Sequence, residues 1–109
     1  MWQPISRRDF DLLYQKQESA LPAEAREVLD RFRVPTYTAI IRRSNAAGDE
    51  PVFVVAESPR GVIYFDDVEY GFNISPLDGS GHVTRPGGSQ MGLADAVVAW
   101  LAPQHGKRV

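Results

Sequence analysis

The sequence predicts a single α+β domain over residues 1–109, with two N-terminal helices, an antiparallel sheet of four to five strands, and a C-terminal helix packed on one sheet face. Apolar residues recur at helical spacing before residue 36 and after residue 88, whereas short apolar and β-branched runs fill the segment between them. Helices outside a contiguous run of strands are typical of an α+β layer, in which the helices cover one face of the sheet. The length of 109 residues suits one compact domain.

The two N-terminal helices are predicted from their starts, stops and apolar faces. Ser6 followed by Asp9 has the spacing of a helix start, and the apolar face of this helix ends near Ser19. The second helix has Pro22 in its first turn, where proline is tolerated, and Pro35 stops it. The predicted faces are Phe10, Leu13, Tyr14 and Gln17, with Leu12 at the edge, and then Ala25, Val28, Leu29 and Phe32.

The middle of the chain is predicted to form strands. Turn-like connections between the segments favour antiparallel neighbours and therefore a meander. One segment is a continuous apolar run, which suits an interior strand. The predicted strands are residues 36–43, 51–58 (the continuous run), 61–67, 71–75 and 81–85.

The last predicted element is a helix with Ser89 as its candidate cap and Pro103 beyond its end. Its apolar stripe is broad, and we expect Trp100 to be a core residue together with Phe32 of the second helix.

Composition excludes several classes of protein. The chain has no cysteine, which excludes disulfides, a thiol nucleophile and metal sites held by thiolates. No apolar run has the length of a membrane helix or of the core of a signal peptide, so we expect a cytoplasmic protein that does not bind membranes. The net charge of −2 lacks the basic footprint of a nucleic-acid binder, so no nucleic-acid partner is expected.

The acidic residues are concentrated in one segment. Residues 61–84 contain four carboxylates and no lysine or arginine, whereas residues 1–35 contain six residues of each sign. We expect the four carboxylates to be hydrated and to lie at or near strand ends, where their summed field draws in a basic partner. They are Asp66, Asp67, Glu69 and Asp78.

Aromatic residues interleave with these acids. Of Tyr64, Phe65, Tyr70 and Phe72, we expect two to fill the core. If the other two remain outside, they form aromatic anchors on an acidic surface that suits a basic partner. Tyr70 and Phe72 are the nearest candidates for anchors, although strand alternation directs Phe72, with Ile74, toward the core.

The acidic residues also allow the hypotheses of a metal site or of acid–base catalysis. Asp66, Asp67 and Glu69 could bind Mg²⁺ or Ca²⁺ or divide general acid and base roles, but Asp66 and Asp67 point to opposite faces of an extended strand. Neither Ser75 nor Ser89 stands in a nucleophile-elbow motif, and His82 lies beside a glycine. We therefore expect no catalytic residue, cofactor or metal site.

Residues 61–83, followed by a helix of the kind in "SQMGLADAVVAWL", resemble small immunity proteins of contact-dependent or polymorphic bacterial toxin systems. The resemblance implies a protein that binds a cognate toxin's catalytic domain, often a nuclease with a basic face, and occludes it stoichiometrically. The residues expected to bind the partner are Asp66, Asp67, Glu69, Tyr70 and Asp78.

Two other classes of function remain open from the sequence. One is a small enzyme or ligand-binding domain with a pocket between sheet and helices, because a pocket can form from residues that are distant in sequence. The other is an assembly subunit whose exposed apolar strand pairs with itself. The genes encoded beside this one distinguish the three hypotheses: a secreted toxin gene supports inhibition, and a metabolic operon supports an enzyme.

Overall fold

A computed structural model describes residues 5–42, 49–59, 61–66, 70–76, 82–83 and 91–101. Three helices and a sheet with a four-stranded antiparallel part confirm the α+β class. The elements in chain order are α1 (Arg7–Ser19), α2 (Ala23–Phe32), β1 (Arg33–Arg42), β2 (Asp49–Ser58), β3 (Gly61–Asp66), β4 (Gly71–Ser75), β5 (His82–Val83) and α3 (Leu93–Leu101).

Helix α1 begins and ends where the sequence predicts. The Ser6 hydroxyl oxygen accepts a hydrogen bond from the Asp9 backbone N–H at 3.0 Å, which satisfies one of the free amides of the first turn. The side chain of Phe10 is fully buried, whereas Leu12, at the edge of the apolar face, is 58% exposed. The helix ends at Ser19.

Helix α2 passes into strand β1 without a loop. The helix ends at Phe32, and Arg33 is both its C-terminal capping residue and the first residue of the strand. The strand therefore begins earlier than the predicted start at residue 36. Pro35 lies inside it, where the pairing with β2 shifts register between Arg33 and Tyr37. A proline has no N–H to donate, so it is accommodated where the regular ladder is interrupted.

The sheet has the strand order β4-β3-β2-β1-β5. Strands β1 to β4 form the predicted antiparallel meander, and β2 is an interior strand, as its continuous apolar run predicts. The prediction of a purely antiparallel sheet is wrong for β5, which pairs with β1 in parallel through Ile40 and Ile41. Because β5 lies at the edge opposite β4, the rule that consecutive strands are neighbours does not apply to it.

The turn between β2 and β3 requires a glycine. Gly61 has a φ of 132°, a backbone conformation that residues with a Cβ rarely adopt. A Cβ at this position would also lie 2.7 Å from the carbonyl oxygen of Ser75 on β4. The absence of a side chain therefore allows the start of β3 to approach the end of β4.

Buried apolar residues occupy both faces of the sheet. The three helices pack on one face, where the larger cluster includes Phe10 and Leu29. The register shift between Val54 and Ala56 allows the adjacent Val55 and Ala56 to join this same cluster. The opposite face holds a second cluster of Ala39, Ile41, Val52, Val54, Val62, Tyr64 and Val83. The expectation of apolar burial on one face only is therefore incomplete.

The Phe10 ring lies at the centre of the contact between α1 and the sheet. Its centroid is 4.8 Å from that of Phe53 on β2 and 5.3 Å from that of Phe65 on β3. It also lies 6.2 Å from the Phe72 ring on β4. One side chain of α1 therefore contacts three neighbouring strands.

The predicted core residues of α2 and α3 contact each other in the helix-side cluster. Trp100 is buried, as expected, and Phe32 is half-buried against the same cluster. Their rings meet edge to face with centroids 5.3 Å apart, which is a favourable geometry for aromatic pairs. This pair joins α2 to α3.

Substitution of Phe10 by alanine tests this packing. We expect Phe10→Ala to lower the free energy of unfolding by about 3–5 kcal/mol, because a buried ring is lost and a cavity remains. The matched control is Leu12→Ala on the same helix, for which we expect a change within about 0.5 kcal/mol. Denaturant unfolding followed by circular dichroism measures both values. Equal effects of the two substitutions would show that Phe10 does not organise the core.

Candidate functional site

The structure separates the residues that the sequence predicts to bind a partner. Asp66 is the last residue of β3, so its expected position at a strand end is confirmed. Its side chain is nevertheless 0% exposed, and the expectation that it is hydrated is wrong. Tyr70, in contrast, is 61% exposed. Asp67, Glu69 and Asp78 lie outside the described residues.

Asp66 belongs to a row of buried polar side chains on the sheet face opposite the helices. Strand alternation places it on the same face as Tyr64, whose direct partner on β4 is Asn73. Ser75, two residues further along β4, is also buried, and its hydroxyl donates to the Pro76 carbonyl oxygen at 2.8 Å. Neither Asp66, Asn73 nor Ser75 lacks an interaction partner. In this arrangement Asp66 supports the sheet and does not contribute a surface charge.

Two of the four aromatic residues were expected in the core, and three are buried there. Tyr64, Phe65 and Phe72 are at most 2% exposed, and Ile74 packs beside Phe72 in the helix-side cluster. The alternation that directs Phe72 inward is therefore confirmed. Tyr70 remains as the exposed aromatic residue of this group.

The backbone of Tyr70 has an unusual conformation. Its φ of 57° lies in the left-handed region, which costs a residue with a Cβ about 1–2 kcal/mol. The edge of its ring meets the buried Phe65 ring, with centroids 5.4 Å apart and planes at 79°. Residues in such strained conformations persist only where the surroundings hold them, and they cluster at functional sites. Tyr70 therefore presents a large aromatic surface in a defined position.

A cleft of about 420 Å³ lies between Tyr70 and α1. Its other lining residues are spaced at i, i+3, i+4 and i+7, which places them on one face of the helix. Leu13 and Ala20 contribute apolar surface, and Lys16 and Gln17 contribute polar groups. The sequence identified Leu13 and Gln17 only as part of a core-facing stripe, and it did not single out Lys16 or Ala20.

Gln17 connects this cleft to α3. Its side-chain Oε1 accepts a hydrogen bond of 2.7 Å from the backbone N–H of Leu93, the first residue of α3. A residue from α1 therefore satisfies one of the free amides in the first turn of α3. The predicted cap, Ser89, lies outside the described residues, and α3 begins too far along the chain for Ser89 to be its N-cap.

Substitution of Gln17 tests its capping role. We expect Gln17→Ala to lower the free energy of unfolding by about 1 kcal/mol, because the Leu93 N–H loses its acceptor. The control is Gln15→Ala, whose side chain is exposed on the same helix and for which we expect a change within about 0.5 kcal/mol. Hydrogen exchange should become faster in the first turn of α3 in the Gln17 variant only. Unchanged exchange there would show that the hydrogen bond does not stabilise α3.

Ion pairs hold the C-terminal end of α1. The Glu18 carboxylate accepts hydrogen bonds from Arg33 at 2.7 Å and from Arg26 at 3.3 Å, and Arg33 also pairs with Asp30. The hydrogen bond to Glu18 is the main reason that the pKa of Arg33 is raised. Burial raises the pKa of the nearby Tyr14 hydroxyl, so this group stays neutral at physiological pH. These contacts fix the helix that carries the cleft.

A second cleft, of about 490 Å³, lies on the outer side of α2. Leu21 and Ala23 line it together with Arg26, Glu27 and Asp30. Two of its charged groups, those of Arg26 and Asp30, already participate in the ion pairs around Glu18 and Arg33. Fewer of its polar side chains are therefore available to a ligand than in the cleft beside Tyr70.

Among the described residues, no group of three or more histidine, aspartate or glutamate side chains is arranged to hold a metal ion. The metal hypothesis also involves Asp67 and Glu69, which lie outside those residues, so it stays untested. No helix in the described part of the chain is long and apolar enough to cross a membrane.

Comparison with models of protein families, with curated proteins and with solved structures found no match to this chain. The resemblance of residues 61–83 to immunity proteins therefore stays a prediction.

Proposed function

We propose that this protein is an immunity protein that binds the catalytic domain of a cognate bacterial toxin and neutralises it by stoichiometric occlusion. The observation that carries the proposal is the exposed Tyr70, held in a left-handed conformation against Phe65 within the acidic segment of the chain. Two properties of this region favour a protein partner, the rigid aromatic side chain and the sign of the surrounding charge.

The aromatic anchor supplies contact area at low entropic cost. Tyrosine is enriched among the residues that dominate the affinity of protein interfaces. The edge-to-face contact with Phe65 favours one orientation of the Tyr70 ring before any partner binds. Binding therefore requires little additional ordering, which is the usual advantage of a preorganised surface. The adjacent cleft along α1 provides a place for a side chain of the partner.

The charge of the segment favours a basic partner. Asp67 and Glu69 lie within three positions of Tyr70 in the sequence, and no lysine or arginine occurs in residues 61–84. With Asp66 buried, the carboxylates proposed for recognition are Asp67, Glu69 and Asp78. A nuclease presents basic groups that bind phosphates, and an acidic inhibitor surface is complementary to them.

The packing disfavours the alternative of a small enzyme or ligand-binding domain with a pocket between sheet and helices. In the described residues this space is filled by side chains that are fully buried, including Phe10, Leu29 and Leu93. The hypothesis of strand self-pairing is also weakened at β4, because the Phe72 N–H already donates to the Met91 carbonyl oxygen at 2.8 Å. Occlusion of a partner protein therefore remains the proposal that the geometry supports best.

Tyr70→Ala tests the anchor. The proposal predicts that the adjacent upstream gene encodes a toxin domain, and co-expression of that domain with the wild-type protein should restore growth. We expect Tyr70→Ala to weaken binding by about 2 kcal/mol or more, as for a central aromatic anchor. The control is Val98→Ala on α3, which removes a side chain of similar exposure, 59%, outside the cleft. Calorimetric titration gives both affinities.

Full binding by Tyr70→Ala would remove the anchor from the proposal, and growth arrest despite the wild-type protein would contradict the proposed function.

Neutralisation of the acids tests the electrostatic part of the proposal. We expect the triple variant Asp67→Asn, Glu69→Gln and Asp78→Asn to associate with the same toxin domain more slowly at low salt and to show a flatter salt dependence. Stopped-flow association across a salt series measures both quantities. The circular dichroism spectrum of the triple variant should match that of the wild-type protein. Unchanged association at low salt would place the interface on another surface.

A further inference from the structure

The cleft beside Tyr70 contains polar groups that can donate hydrogen bonds to an incoming ligand. The Lys16 ammonium group forms no ion pair within the described part of the chain. Gln17 uses its Oε1 to cap α3, which leaves the two N–H groups of its amide nitrogen for other acceptors. The exposed Tyr70 side chain adds a hydroxyl group. An occupant that fits this chemistry provides acceptor oxygens.

The remaining lining of the cleft is apolar. Leu13 and Ala20 lie on the same helix face as Lys16, separated from it by three and four positions. An occupant therefore meets an apolar surface directly beside a positive charge. A carboxylate next to an aliphatic side chain satisfies both requirements, whereas a positively charged group would be repelled by Lys16 and would leave the donors unpaired.

We infer that the cleft formed by Leu13, Lys16, Gln17, Ala20 and Tyr70 binds a segment of the partner protein in which an apolar side chain lies beside a carboxylate. The apolar side chain packs on Leu13 and Ala20, and the carboxylate accepts hydrogen bonds from the Lys16 ammonium and Gln17 amide groups. This inference rests on the proposed function, and it adds a second contact of opposite charge to the acidic one.

The two contacts together determine specificity. Acidic residues close to Tyr70 in the sequence favour any basic protein, but Lys16 penalises a partner that is basic across its whole surface. A partner with one acidic group at the position facing the cleft avoids this repulsion. Since an exposed ion pair changes affinity only a few-fold, the role of Lys16 is to select the partner and its orientation.

Three small probes that share the leucine side chain test the cleft without any toxin. They are N-acetyl-L-leucine, which is an anion, N-acetyl-L-leucinamide, which is neutral, and L-leucinamide, which is a cation. We expect the anion to shift the backbone amide resonances of the five cleft residues in ¹⁵N-correlated NMR titrations. The anion should bind about two- to fivefold more tightly than the neutral probe, and the cation should bind most weakly.

Charge variants establish the cause of this preference. Lys16→Gln should abolish the preference for the anion, and Lys16→Glu should reverse it. Arg8→Glu makes the same change of charge at an exposed position of α1 outside the cleft, and it should leave the preference intact. Equal binding of all three probes to the wild-type protein, resonance shifts confined to other regions, or a preference that survives in both Lys16 variants would overturn the inference.

A steric variant connects the cleft to the partner. Ala20→Trp fills the cleft from an exposed position, and Ala99→Trp places the same side chain on the exposed side of α3 as a control. We expect Ala20→Trp to weaken binding of the upstream-encoded toxin domain at least tenfold and Ala99→Trp to leave it unchanged. If Ala20→Trp binds normally while Tyr70→Ala does not, the proposed function stands and the cleft inference is wrong. If the wild-type protein does not bind the toxin domain, the proposed function fails regardless of the probe titrations.

Discussion

The packing of Phe10 between α1 and the sheet is the contact on which the arrangement of the helices depends. Its ring stacks on Phe53 and meets the rings of Phe65 and Phe72, so a single side chain connects α1 to β2, β3 and β4. The same helix then supplies Gln17 to cap α3 and one wall of the cleft beside Tyr70. Phe65 also contacts Tyr70, which links the exposed aromatic ring to this aromatic cluster. Core packing and the candidate surface are therefore parts of one continuous set of contacts.

Burial separates Asp66 from the role of a surface charge. Asp66 ends β3 on the face that carries the second cluster, beside the buried pair of Tyr64 and Asn73. A buried carboxylate is costly unless it is paired, and Asp66 does not lack an interaction partner. Asp66 belongs to the same acidic segment as Asp67 and Glu69, yet a buried carboxylate does not attract a partner across water as a surface charge does. Position in the sequence alone therefore does not assign a charge to recognition.

The parts of the fold that depend on nearby residues could be predicted from the sequence, and the parts that depend on distant residues could not. Ser6 and Asp9 specify the start of α1 because the capping bond is local, and the apolar run of β2 specifies an interior strand. The cap of α3 comes from Gln17, 76 positions earlier, and β5 joins the edge of the sheet opposite its predecessor. The burial of Asp66 depends on the second cluster, which strand alternation alone does not reveal. The left-handed conformation of Tyr70 was likewise missed, because residues with a Cβ rarely adopt it.

The direct junction between α2 and β1 restricts how the length of this chain can vary. Arg33 ends the helix, begins the strand and pairs with both Glu18 and Asp30, so no loop residue separates the two elements. Insertion of one residue between Phe32 and Arg33 would shift Arg33 relative to α2 and pull its guanidinium group away from these carboxylates. Insertions and deletions that homologous proteins commonly accept between elements would therefore be eliminated at this point. The junction sets a fixed spacing between the helical layer and the sheet that sequence drift must preserve.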